Sequence, residues 1–398
     1  MRVLLLCGYV EEQFEDIVAG VEQAANLYQR KLIGGLRSHL CRLSVISVPY
    51  CGAWPIRSKM AVFRGFQSAS VEKITYVPFH NLWGWRSISR ARSLKKPVDH
   101  FIQETQGEKR AIIVYAPHTP FLYAAVRAKR KAPDLHISLI VPDLPQYMNL
   151  NTSYRRFYDF CKYFDIRFFE KLNREVDSYL LLTRAMADVL HTGSRPCVIA
   201  EGLADTAVMP LAAERTKTFV YAGKLVRRFG VDRLLQAFSQ LDDETYRLII
   251  CGTGEMRPDV EHAAQQDRRI CYMGVVPHNE MVNILRGAGV LVNPRAGGDI
   301  YTRYSFPSKV MEYLQTGLPV VSECLSGMPE VYRQLLYCPE DGSVAALAQA
   351  MRSAMQTDYA VEYKRQQAAR AYLCTLTPSC VAGKLLAMIE GKEVASEC

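Results

Sequence analysis

The sequence predicts an α/β protein of two doubly wound domains, and three observations carry that expectation. Short apolar runs alternate with amphipathic stretches along the C-terminal half, the same alternation recurs less regularly before it, and 398 residues exceed the roughly 150 of one domain. In the C-terminal half TFVYAG (218–223) precedes a helical stretch at 231–241, YRLIICG (246–252) one at 258–266, and RICYMG (269–274) one at 279–287. VLVNP (290–294) then precedes SFPSKVMEYLQTG (305–317), and LPVVSE (318–323) follows as a fifth strand. Short buried strands separated by helices imply a parallel sheet covered on both faces. In the N-terminal half the strands are RVLLLCG, LSVISVP, AIIVYAP, ISLIVPD, SYLLLT and CVIAEG, with QAANLYQRKLIGGLRSHL and TPFLYAAVRAKRK as helices. The expected domains are 1–207 and 208–376, with 377–398 a final helix and tail packing back on the first. Ligands of such sheets bind at the carboxyl ends of the strands, which places function in a cleft between two facing domains.

Composition narrows the class. With 49% hydrophobic and 22% charged residues the chain is an ordinary globular protein. No run reaches the 18 or more apolar residues of a spanning helix, and MRVLLLCGYV meets Glu11 and Glu12 too early for a signal peptide, so a cytoplasmic location is expected. Twelve cysteines show no C-x-x-C spacing and no histidine pairing; they read as reduced core residues. The charge is uneven. Residues 1–207 hold 28 Lys and Arg against 19 Asp and Glu, whereas 208–398 hold 21 against 21, so the net +9 belongs to the first half.

That half concentrates aromatics among its cations. FHNLWGWRSISRARSLKKP (79–97) joins two tryptophans to five basic residues, and SYRRFYDFCKYFDIRFFEKLNRE (153–175) is dense in both types. The pattern suits an anionic membrane surface, which contributes roughly 1 kcal/mol per nearby basic residue, and equally a solvated basic surface over an aromatic core. No nucleic-acid motif is present, so no nucleic-acid partner is expected.

One stretch gathers several signals. In YTRYSFPSKVMEYLQTGLPVV (301–321) a helical repeat puts Ser305, Ser308, Lys309, Glu312 and Thr316 in one arc and Pro307, Val310, Met311 and Leu314 in the other. Ser305 or Phe306 is placed to cap the helix, Pro307 suits its first turn, and Gly317 with Pro319 ends it. A helix N-terminus after a buried strand attracts a diphosphate, and Glu312, about 7 to 8 Å further in, then stands near a nucleotide ribose. The alternative is a plain solvent-facing arc. Gly252 and Gly254 in CGTGE (251–255) allow a phosphate close approach or simply make a turn. His118, after AIIVYA, falls at a strand's carboxyl end, as does Asp143 in LIVPDLPQY; a capping histidine and a turn aspartate are the plainer readings.

Taken in order, FVYAGKL (219–225), FGVDRLLQAF (229–238), LIICGTGE (248–255), YMGVVPHNEM (272–281), VLVNPR (290–295) and SFPSKVMEYLQTGLPVV (305–321) resemble the donor domain of retaining GT-B glycosyltransferases, family 4 or group 1. The resemblance covers nearly all of 216–335. It is looser over 1–205, where it rests on YAPHTPF, the VPD turn and CVIAEGLAD. It implies two Rossmann-like domains and a nucleotide-sugar donor, UDP- or GDP-hexose, as co-substrate with no further cofactor. Donor contacts fall on Gly223, Arg227, Gly252, Gly254, Arg295, Tyr304, Ser305, Phe306, Pro307, Ser308, Lys309 and Glu312. His118, Lys224 and Arg228 take the catalytic roles and Asp143 the acceptor side. Two positions depart from the pattern. The second diphosphate clamp, usually a lysine, is Phe229, so Arg227 or Arg228 has to reach in, and the first glutamate of the family's pair is Tyr304.

The resemblance further implies retention through the front-face route, the leaving phosphate taking the acceptor proton. Cations and helix N–H groups serve that chemistry, and no D-x-D motif or His/Cys cluster is present, so metal independence is expected. The setting it suggests is exopolysaccharide or capsule assembly, with a lipid-linked or oligosaccharide acceptor and peripheral attachment to the inner membrane face. The departures at Phe229 and Tyr304 leave a second reading open, a catalytically silent GT-B binding or scaffold subunit.

Overall fold

The structure is a computed structural model that describes residues 1–15, 18, 20–40, 42–55, 58–69, 73–147, 155–205, 215–298 and 300–392. The chain divides into two compact units, Met1–Leu203 together with the helix Pro378–Glu390, and Ala204–Thr377. The expected 207/208 boundary lies outside the described residues.

In the first unit the six expected strands form, as β1 (Arg2–Cys7), β2 (Leu43–Ser47), β7 (Arg110–Tyr115), β8 (His136–Val141), β9 (Ser178–Leu181) and β10 (Cys197–Ile199). Four two-residue strands lie between β2 and β7: β3 (Val62–Phe63), β4 (Phe66–Gln67), β5 (Thr75–Tyr76) and β6 (Phe79–His80). They were not readable from periodicity, because two residues carry none. The sheet order is β10-β9-β8-β7-β1-β2-β5-β4, parallel except for the β4–β5 edge; β3 and β6 form a separate antiparallel pair. Val3 to Leu6 and Ala111 to Val114 are fully buried, as strands covered on both faces must be. The helices are α1 (Gln23–His39), α2 (Arg86–Ser93), α3 (Lys95–Glu104), α4 (Thr119–Lys131), α5 (Arg155–Asn173) and α6 (Met186–Val189).

The second unit is a five-stranded parallel sheet of order β13-β12-β11-β14-β15, from β11 (Thr218–Ala222), β12 (Arg247–Cys251), β13 (Ile270–Gly274), β14 (Val290–Asn293) and β15 (Val320–Ser322). Helices α7 (Val231–Ser239), α8 (Arg257–Gln266), α9 (His278–Arg286), α10 (Ser308–Gln315), α11 (Tyr332–Leu335), α12 (Val344–Gln356) and α13 (Tyr359–Thr375) accompany it. Phe219, Leu234, Phe238, Leu248, Val290 and Met351 form its core. The last helix, α14 (Pro378–Glu390), returns to the first unit and packs on α1. Gly35 makes that approach possible, since a Cβ there would overlap the Pro378 carbonyl, and His39 Nε2 bonds the Ser379 carbonyl oxygen at 2.8 Å.

The cysteine expectation needs correcting. Cys324 and Cys338 form a disulfide, with Cα atoms 6.0 Å apart. The chain beyond α11 runs beside β15, Tyr337 N–H donating to the Val320 carbonyl at 2.9 Å, so residues 14 apart in sequence become neighbours in space. Cys161, Cys271, Cys374 and Cys380 are exposed rather than core. Among the described residues no single helix is long and apolar enough to cross a membrane.

Candidate functional site

The expected helix is α10, one residue shorter at its start than the sequence suggested. Pro307 is its N-cap in an extended conformation and no side chain caps it, so the expectation that Ser305 or Phe306 would cap, with Pro307 in the first turn, is corrected. The reason is packing: Phe306 is buried against Tyr332, ring centroids 5.1 Å apart, and Ser305 Oγ turns to Arg295 Nη2 at 3.4 Å. Val310, Met311 and Leu314 are buried while Ser308 and Glu312 are exposed, which is the expected division of faces. Gly317, at φ 72°, ends the helix.

A lysine and a tyrosine on α10 bolt it to the end of β11. Lys309 Nζ donates to the Ala222 carbonyl and lies 5.6 Å from the Tyr221 ring centroid; burial lowers its pKa below the ordinary lysine value. Tyr313 Oη accepts from Ala222 N–H at 3.0 Å, and Tyr221 Oη donates to the Lys224 carbonyl at 2.8 Å. Gly223 leaves room for the lysine's contact, since a Cβ there would push the Lys309 ammonium end aside. Gly252 (φ 132°) and Gly254 have a packing account: their Cβ positions would overlap the Gly223 and Leu225 carbonyls, so they let the turn after β12 lie flat against the turn after β11. Lys224 is exposed beside this junction.

Arginines gather on the other side of that turn. A cavity of about 310 Å³ is lined by Arg227, Arg228, Gly230, Asp232, Arg233, Ala296 and Gly298. Arg227 is neutralised by Asp232 at 3.1 Å, and its backbone N–H donates to Glu255 Oε1. Arg233 forms a buried pair with Glu323, whose other oxygen accepts from Gly297 N–H at 2.5 Å; this fixes the loop after β14. Arg228 and Arg295 pair with no carboxylate among the described residues. Arg228 lies 5.1 Å over the Phe229 ring. Arg295, only 8% exposed, lies 5.8 Å from that ring and 4.7 Å over Tyr301, with its Nε buried and unpartnered. An uncompensated, nine-tenths buried guanidinium beside the N-terminus of α10 makes a place for an anion. Tyr304 ends the 3-10 turn Ile300–Tyr304 and is partly exposed. Sequence reasoning missed Arg233, Glu323, Tyr301 and Tyr313. Only Tyr313 carried a signal, its place between buried positions of a helical repeat.

In the first unit His118 opens α4, directed by a turn in which Ala116 takes φ 66° and His118 N–H donates to the Ala116 carbonyl at 2.7 Å. Its ring packs on Tyr50 and Phe121 at 5.3 and 4.6 Å, and Nδ1 is buried without a partner. Burial, reinforced by Arg90 and Arg86, holds its pKa well below the usual histidine range, so the imidazole is neutral near pH 7. Asp143 lies on the loop after β8. Its residue is open to solvent, yet the surrounding protein mass and the charge of Glu22 push its carboxyl up to about 6. Tyr115, Tyr28 and Tyr50 adjoin the same region, Tyr50 Oη donating to the Tyr115 carbonyl at 3.1 Å.

The fold is of the GT-B class. Residues 216–357 match the family model described as "Glycosyl transferases group 1". Solved structures similar across the chain include "lipopolysaccharide outer core galactosyltransferase WaaB apo form", at 13% identity and TM-score 0.63, covering 98% of this chain and 99% of that one. Sucrose-phosphate synthase from Thermosynechococcus elongatus is similar at 15% identity and TM-score 0.62, with the same coverage, 98% and 99%. A third is described as "Trehalose-6-phosphate from E. coli bound with UDP-2-fluoro glucose", at 10% identity, TM-score 0.63, and 98% and 99% coverage. No curated protein matches the chain.

Proposed function

We propose that this protein is a retaining glycosyltransferase that moves a hexose from a UDP- or GDP-sugar to a lipid-linked sugar acceptor in exopolysaccharide or capsule assembly. The observation that carries the reading is Arg295, a buried guanidinium with no carboxylate partner among the described residues, set beside the N-terminus of α10, the helix that holds Lys309. The match of residues 216–357 to a glycosyl transferase family model, and a structural neighbour described as bound to UDP-2-fluoro glucose, support a nucleotide-sugar donor.

In this reading the donor diphosphate lies on the α10 N-terminus. Arg295, Arg228, Lys224 and Lys309 meet the charge that builds on the leaving oxygen as the anomeric carbon becomes oxocarbenium-like, and no divalent ion is needed. Exposed Glu312 accepts the ribose hydroxyls. Asp143 orients the acceptor hydroxyl, neutral His118 offers its imidazole to the sugar, and the leaving phosphate takes the acceptor proton. The protein works at the cytoplasmic face of a membrane. Thermal-shift titration against UDP-, GDP- and dTDP-sugars tests the donor. Glu312→Ala should weaken the preferred nucleotide sugar about tenfold, some 1.4 kcal/mol, with the fold intact; unchanged affinity would place the ribose elsewhere.

A further inference from the structure

Helix α2 carries a pair of arginines that the donor site does not use. Arg86 and Arg90 stand one turn apart and reach the chain after β2, Arg86 Nη1 donating to the Cys51 carbonyl at 3.2 Å and Arg90 Nη2 to the Pro49 carbonyl at 2.9 Å. Arg90 is 3% exposed, its Nε is buried without a partner, and its guanidinium lies 4.5 Å over the Phe79 ring. Neither arginine pairs with a carboxylate among the described residues. Carbonyl partners tie down the loop but leave two like charges uncompensated, one of them in low dielectric. Burial and the neighbouring Arg86 push Arg90 down to about 10, so it remains cationic at neutral pH. Tyr50, between the two held carbonyls, packs against His118, which brings the charged pair beside the acceptor-side wall.

The same segment presents an apolar surface. All three tryptophans of the chain lie there, Trp54, Trp83 and Trp85, at 39, 58 and 41% exposed. Backbone bonds knot them together: Trp54 N–H to the Asn81 carbonyl at 2.9 Å, Trp83 N–H to the Trp54 carbonyl at 3.2 Å, and Trp85 N–H to the Leu82 carbonyl at 3.1 Å. Val62 and Ile88 are exposed as well. Contiguous exposed apolar side chains mark a binding surface, and indoles favour the boundary between apolar and polar media. Charge selects the occupant. Residues 86–96 supply Arg86, Arg90, Arg92, Lys95 and Lys96 and no carboxylate, so what binds is anionic at one end and apolar at the other.

We propose that this segment binds the phosphate or diphosphate of a long apolar alcohol, its phosphoryl oxygens on Arg86 and Arg90 and its chain over Trp54, Trp83 and Trp85. The inference rests on the reading of a lipid-linked acceptor and names the residues that hold the acceptor's anchor.

Because the chain has no other tryptophan, tryptophan emission, excited beyond the tyrosine absorption band, reports this surface alone. The full chain is titrated with farnesyl diphosphate, inorganic pyrophosphate, farnesol and phosphatidylglycerol vesicles. Farnesyl diphosphate should shift the emission saturably to the blue, bind at least tenfold more tightly than farnesol, and be displaced by pyrophosphate. Arg86→Gln, at the less buried member of the pair, should weaken farnesyl diphosphate at least tenfold and leave farnesol unchanged. Farnesol binding as tightly as its diphosphate, Arg86→Gln binding as wild type, or a response to vesicles with none to farnesyl diphosphate would overturn the proposal. UDP binding, read by thermal shift on the same samples, separates this outcome from the donor reading: loss of either signal without the other shows which one failed.

Discussion

Arg295 is buried with no carboxylate partner among the described residues and the Asp143 carboxyl is pushed up by its surroundings, and each makes a prediction for stability. Arg295→Met keeps the apolar stem between Phe229 and Tyr301 and removes the buried charge. Affinity for UDP should fall about tenfold or more, since a charge-assisted hydrogen bond contributes roughly 1.5 to 3 kcal/mol, while the melting temperature of the free protein stays level or rises. Calorimetric titration and a thermal melt on one preparation decide it. For Asp143 the folded pKa stands at about 6 against a usual 3.8, so between those values the folded chain binds more protons than the unfolded one. Stability therefore declines as pH rises through this window, and the penalty is complete above it. Asp143→Asn should raise the melting temperature at pH 8, with the gain shrinking through pH 6 and gone below pH 4. None of this was legible in the sequence, because pattern reading places a residue at a strand end but not the dielectric around it.

The loop after β14 shows how an element acquires its shape from elsewhere. Gly230, at φ 77°, starts α7 where a Cβ would overlap the Pro294 carbonyl, and Arg233 one turn on reaches Glu323, which in turn holds Gly297 N–H. Breaking a buried pair strands the remaining charge, so Glu323→Gln should destabilise the second unit by about 3 kcal/mol in urea titration. A change under 1 kcal/mol would show that the pair is not what fixes the loop. The helix α10 itself was legible from a repeat of 3.6 and from Gly317. Its start was not, because burial of Phe306 and the turn of Ser305 toward Arg295 depend on residues distant in sequence.

At the scale of the whole chain the charge division is the informative quantity. The net +9 lies within 1–207, and the exposed aromatics Trp83, Trp85, Phe160, Tyr163, Phe164 and Phe168 belong to the same unit. Co-sedimentation with phosphatidylglycerol vesicles is expected at low salt and should be lost by 0.5 M salt, where the Debye length falls to about 4 Å. Equal pelleting with neutral vesicles would remove the electrostatic account.

The sequence by itself determined the alternation of strands and helices, the parallel sheets, the face of α10 that is buried and the order of motifs that match a glycosyl transferase family model over 216–357. These follow from local periodicity and chain order, which a linear string contains. The tertiary structure decided the rest: that Arg227 pairs with Asp232 while Arg295 has no carboxylate, that Gly252 and Gly254 serve backbone packing, that Cys324 meets Cys338, and that Arg90 of α2 lies buried, both arginines without a carboxylate partner among the described residues. Each depends on which side chains meet across the fold and how much water remains between them, and a sequence records neither.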